Sequence, residues 1–147
     1  MAFHMLNCTA FTRENDNDNM FIVCEEIKVS QKSRRKGLDL IGKMFGPPSA
    51  GGTPQPQPLG RYTVEHLFGD VWQQDDLTLR ERSLATCTML FALNRPEEMR
   101  LHFTGAKNIG VERSKLVGII AHGAHYAGWP NAMTALRVLN EVWPEEG

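Results

Sequence analysis

Glu81, Arg82, His102, His122, His125, Tyr126 and Trp129 have residue types and spacings that suit proton transfer and anion binding. A histidine can donate a hydrogen bond or move a proton near neutral pH. A glutamate can orient such a group or exchange a proton with it. An arginine grips a carboxylate as a two-pronged fork. The rings of Tyr126 and Trp129 could wall a pocket, with the tyrosine hydroxyl as a donor at its rim. Each residue also has a plainer reading. Glu81 closes the capping box Thr78-Leu79-Arg80-Glu81. His102, with Met99, Phe103 and Ala106 as neighbours, reads as a hydrogen-bonded core residue; Arg82 reads as half of an ion pair, and Tyr126 and Trp129 as packing against the following helix. His122 and His125 lie three apart on adjoining helix faces, and without a third ligand at zinc spacing they assign no metal. Glu81, His102, His122, His125 and Tyr126 fall on faces that otherwise read as buried, where a polar group must be satisfied or functional.

The elements that must position these residues read as helices joined by short turns. A first helix is expected over residues 34–45, with Leu38, Ile41, Met44 and Phe45 at helical spacing. The Pro/Gly-rich stretch 46–58 cannot continue it and forms a loop. A second helix from about Gly60 to Gly69 brings Tyr62, Leu67 and Phe68 toward Trp72. The third starts at the Thr78 box and runs to about Leu93, where Asn94 stops it. Pro96 suits the first turn of the fourth, which ends at Gly110; the fifth covers about Glu112 to Ala127, and the sixth runs from Pro130 or Asn131 to Trp143. The fold class is all-α. Residues 1–32 form an N-terminal extension, in which residues 21–29 read as a helix turn or a lone strand needing a partner from another subunit, and residues 33–147 form the helical domain.

The 147 residues fit one domain, and a net charge of -1 with 41% hydrophobic residues implies no electrostatic partner. The one basic run, Lys32-Ser33-Arg34-Arg35-Lys36, reads as a solvated helix start, so no nucleic acid is expected. The apolar runs are far shorter than the ~18 residues that span a bilayer. Cys8, Cys24 and Cys87 form no C-x-x-C pair, which fits a reduced cytoplasm.

Four blocks carry a family resemblance: FGDVW (68–72), LTLRERSLATCTMLFAL (77–93), RPEEMRLHFTGAKNIGV (95–111) and IIAHGAHYAGWPNAMTAL (119–136). Together, in this order, they resemble the carboxymuconolactone decarboxylase family over about residues 60–143, and more loosely over 34–46. The resemblance implies an alkylhydroperoxidase-D-like bundle of about six helices, assembled as a homotrimer or homohexamer with pockets at or near subunit interfaces. The family's peroxidase branch has a redox C-x-x-C before the histidine matched by His102; this chain has Arg95 to Leu101 there, without cysteine. The chain departs from the family in its proline-rich loop, at Val111 where a small polar cap is usual, and at His125 where an apolar residue is usual.

The resemblance therefore implies a carboxy-lyase that needs no cofactor, acting on a small carboxylated lactone or related ring acid as in aromatic-compound catabolism. On the family-matched positions, His102 and His122 are expected as hydrogen-bond donor or acid and Glu81 as an orienting residue. Arg82 or Arg100 would anchor a carboxylate, and Tyr126, Trp129 and His125 would line the substrate site. The alternatives are a non-catalytic, small-molecule-binding member of the same fold, and a thiol-dependent peroxidase using Cys87.

Overall fold

A computed structural model describes residues 31–47 and 56–145, and the backbone of 5–13 and 20–27. Helix α1 (Gln31–Phe45) is followed by α2 (Leu59–Arg61), which runs on as a π-helical segment (Tyr62–Phe68) and a 3₁₀ turn (Val71–Gln73). Four helices complete the domain: α3 (Leu79–Ala92), α4 (Pro96–Asn108), α5 (Arg113–Ala127) and α6 (Trp129–Val142). The helical domain is all-α as expected. The middle of the Pro/Gly-rich loop, residues 48–55, lies outside the described residues.

The expected strand in the N-terminal extension does form, but its partner is in the same chain. Strand β1 (Met5–Arg13) pairs antiparallel with β2 (Met20–Ile27), from Met5 opposite Ile27 to Arg13 opposite Met20, with an irregularity between Cys8 and Ala10. The expectation failed because residues 5–13 were not read as a second strand, although polar 14–19 separates two stretches of matching length.

The helix boundaries follow local chemistry. Thr78 caps α3: its hydroxyl accepts from the Glu81 backbone amide, and Glu81 Oε2 accepts from the Thr78 amide at 2.8 Å. Asn94 stops that helix in the left-handed region at φ 50°, and Pro96 opens α4 with Glu97 and Glu98 in its first turn. Helix α4 ends where Gly110 turns at φ 79°. The basic run opens α1 with Lys32, Arg34, Arg35 and Lys36 exposed, as expected of a solvated helix start.

Helix α4 is the central element, packed against α1, α3 and α6, while α5 packs on α3 and α6. Met99, Phe103 and Ala106 of α4 meet Met44 of α1, Phe91 of α3 and Val138 and Leu139 of α6 in one core cluster. Each fully buried side chain of this size contributes about 1.5–3 kcal/mol of transfer free energy, so the core sets the helix positions and the polar rim follows. The α1 contact with the π-helical segment is backbone to backbone: a Cβ on Gly37 would lie 1.8 Å from the Val64 carbonyl oxygen.

Candidate active site

His102 lies beside the core stripe of α4 and is half-buried. Its ring meets the Phe45 ring edge-on at 5.4 Å and sits tilted under Trp72 at 6.4 Å. Phe68 completes the wall, 5.7 Å from Phe45 and 5.2 Å from Trp72. The wall is held from three sides. Asn108 donates to the Met44 carbonyl at 2.7 Å and ties the end of α1 to α4; Gln73 donates to the Phe68 carbonyl at 2.8 Å and fixes the turn carrying Trp72. Gly105, three residues after His102, leaves the space that the Phe45 ring occupies.

In this apolar niche His102 Nδ1 is buried without a hydrogen-bond partner. Burial holds the imidazole below its ordinary pKa, and the nearby Glu98 carboxylate offsets this only in part. The ring is therefore neutral at neutral pH. A neutral imidazole carries one N–H donor and one acceptor, so it can stabilise a developing oxyanion without bringing a full charge into the niche.

Arg82 stands one turn into α3 with 13% of its side chain exposed. Its Nη2 donates to the Gln74 carbonyl at 3.2 Å and to Asp76, and its Nε is buried without a partner. Gln74 is two residues beyond Trp72, so a single short turn touches both Arg82 and His102. Behind them, the Cys87 thiol donates to the His102 carbonyl at 3.7 Å. Burial pushes that thiol up to about 12, with the neighbouring Ser83 hydroxyl offsetting a little. Such a thiol holds its proton at neutral pH, which removes the basis for a Cys87 peroxidase.

Ser83 is fully buried, and its hydroxyl makes no hydrogen bond of normal geometry. Sequence reasoning passed it over. The available signal was its place four residues after Leu79 and four before Cys87, on the face that α3 turns inward.

The remaining candidates lie elsewhere, and the expectation of buried faces fails for most of them. Glu81 is exposed, and its carboxylate serves the cap, accepting from the Thr78 hydroxyl at 2.7 Å. Arg100 forms ion pairs with Glu97 at 2.7 Å and Glu141 at 2.9 Å, fastening α4 to α6. Helix α5 buries Leu116, Ile120, Gly123 and Ala124, which turns His122, His125 and Tyr126 to the opposite, exposed face. Tyr126 is 81% exposed and Trp129 63%, so neither packs under α6 as expected. Their ring contacts are with the histidines: His122 with Tyr126 at 4.9 Å, and His125 with Trp129 at 6.5 Å. Among the described residues, His102 and His122 share no ring or hydrogen-bond partner. An open groove of about 460 Å³ on α6, lined by Met133, Leu136, Arg137, Asn140 and Glu141, shares no residue with the His102 niche.

The profile of the carboxymuconolactone decarboxylase family matches residues 57–141, which hold the whole niche except Phe45. The chain belongs to this family. Over 91 residues it is 36% identical to the 4-carboxymuconolactone decarboxylase of Acinetobacter baylyi, covering 62% of this chain and 68% of that protein. Over 90 residues it is 33% identical to the nitrosuccinic acid decarboxylase of Metarhizium robertsii, covering 61% of this chain and 63% of that one. The matched share thus leaves about a third of each relative unaligned. Both relatives carry decarboxylase names. Among the described residues, no helix is long and apolar enough to cross a membrane.

Proposed function

We propose that the chain is a decarboxylase needing no organic cofactor, acting on a short carboxylic acid with a second carboxylate and a conjugated electron sink. The observation that carries this reading is the neutral, half-buried His102, with Nδ1 unpaired in an aromatic niche, next to the turn that also holds Arg82. The compounds that name the two relatives, a carboxylated unsaturated lactone and a nitro-substituted dicarboxylic acid, support the class. Each has a group able to accept the electron pair released with carbon dioxide.

In the proposed reaction the carbon–carbon bond to the departing carboxylate breaks and carbon dioxide leaves. The electron pair moves onto the oxygen of the lactone carbonyl or equivalent sink, where the His102 N–H donates a hydrogen bond. A proton from solvent then adds to carbon and quenches the carbanion, leaving a product that keeps its second carboxylate. Arg82 anchors the retained carboxylate, and Glu81 acts indirectly, by capping the helix that carries Arg82. His122, His125, Tyr126 and Trp129 form the surface through which copies of the chain associate as a trimer or hexamer; exposed aromatics grouped on one face support this. There His122 would supply a second donor.

The separation of His122 from His102 within one chain favours a second reading, a binding member of the family without turnover. One experiment separates the two: carbon dioxide release is assayed from a panel of short carboxylated lactones and nitro-dicarboxylates with the wild-type protein, His102→Gln and Arg82→Gln. Turnover by the wild type that is lost in His102→Gln is expected. Binding of panel members without carbon dioxide release would leave the second reading in its place.

A further inference from the structure

We propose that Asp76 is an internal competitor that tunes the affinity of the carboxylate anchor: its carboxylate occupies the Arg82 guanidinium at the position a ligand carboxylate takes, and a ligand must displace it. This rests on the reading of Arg82 as the carboxylate anchor. Along one edge, a guanidinium presents Nε–H and an Nη2 hydrogen at the spacing of two carboxylate oxygens. In this chain Asp76 and the Gln74 carbonyl both draw on Nη2, and the buried Nε–H has no partner. Asp76 therefore holds the arginine by one nitrogen and leaves the inner half of that edge unused.

The two partners are unequally placed. Arg82 has 13% of its side chain exposed and Asp76 has 70%, and Asp76 makes no other hydrogen bond or ion pair among the described residues. Asp76 returns to water at little cost, because most of its hydration is already in place. A planar carboxylate that reaches both Nε and Nη2 gains a bond that Asp76 does not make. An anion that binds through one oxygen merely exchanges one contact for another. The segment does not depend on Asp76 as a strap, since Gln74 and the Thr78 cap fasten it on either side. The outcome is a site whose affinity for a carboxylate is set by the pair that it must displace, and a ligand that spans both nitrogens offsets that cost.

The test is calorimetric titration with succinate, a short dicarboxylate with no electron sink and hence no turnover. Asp76→Asn and Asp76→Ser are expected to bind succinate about two- to fivefold more tightly than wild type, the range an exposed ion pair can hold. Unchanged or weaker succinate binding in both variants would overturn displacement and make Asp76 an orienting partner of Arg82. Arg82→Gln is run in parallel. If it loses succinate while the Asp76 variants match wild type, displacement alone fails; if it binds succinate like wild type, the anchoring role of Arg82 fails and displacement with it.

Discussion

The Phe45 ring stands edge-on to His102, 5.4 Å between centroids, and it reaches that position over Gly105, one turn further along α4. A helix at one end of the domain thereby sets the dielectric around the imidazole of another. The niche is built from residues 45, 68, 72 and 102, which lie on four separate elements.

The lowered pKa of His102 gives a signed pH dependence for stability. As pH falls through the ordinary histidine value of 6.5, the unfolded chain takes up a proton that the folded chain resists. Stability is thus full above 6.5, is lost as pH drops toward the folded value, and levels off below it. Catalysis by the neutral ring should likewise persist through pH 6.5 and decline only below. His102→Gln should lose carbon dioxide release by about 10²-fold or more and flatten this part of the stability profile. Chemical denaturation across pH 4.5–8 and kcat/KM profiles check both; an acid limb in kcat/KM centred above 6.5 would contradict the neutral-ring mechanism.

Gly105→Ala tests the packing that makes the niche. The added Cβ would lie 2.8 Å from Phe45 Cε1 and 3.3 Å from Met44 Cε, so the ring must move. Overpacking of this kind costs about 1–3 kcal/mol, read as a lower Tm. The same shift opens the wall beside His102, and kcat should fall with it. Gly105→Ala combined with Phe45→Leu should regain part of the stability. A second-site change that regains none would show that Phe45 is not the atom group in conflict.

Much of the fold was legible because local signals agree with the core. The Thr78 box, Pro96, Gly110 and the Gly128-Trp129-Pro130 break each act within one helical turn and mark their boundaries to within a residue or two. The proposed site has a weaker imprint in the sequence. His102 and Arg82 could be picked by type and family position, but the aromatic wall depends on α1 and the 3₁₀ turn meeting α4, which no periodicity encodes. His122 and Tyr126 read as buried but are exposed, for the opposite reason: Gly123 and Ala124 form the buried contact on α5, and small residues give a weak apolar signal beside a histidine and a tyrosine. Gly123 is there because the Phe91 ring occupies the place of its Cβ, with Cε1 2.2 Å from it. Asp76 left no sequence signal, since its partner Arg82 is six residues away across a turn.

Glu81 distinguishes a cap from a catalytic carboxylate. Its pKa is lowered chiefly by the Thr78 hydroxyl and then by the Thr78 amide, so its contribution to stability is present above the ordinary value of 4.5 and is lost as pH falls below it. Thr78→Ala removes the other half of the box and should cost about 1 kcal/mol. If Glu81 acts only as a cap, Glu81→Ala and Thr78→Ala both lower the Tm at neutral pH and both leave kcat near wild type at a temperature well under the transition. Their effects on Tm should also be less than additive, because both remove the bond from the Thr78 hydroxyl to the Glu81 carboxylate. The measurement is a double-mutant cycle on Tm alongside kcat for all four proteins. A tenfold loss of kcat confined to Glu81→Ala would return the carboxylate to the reaction, since Thr78→Ala disturbs the same helix end without touching its charge.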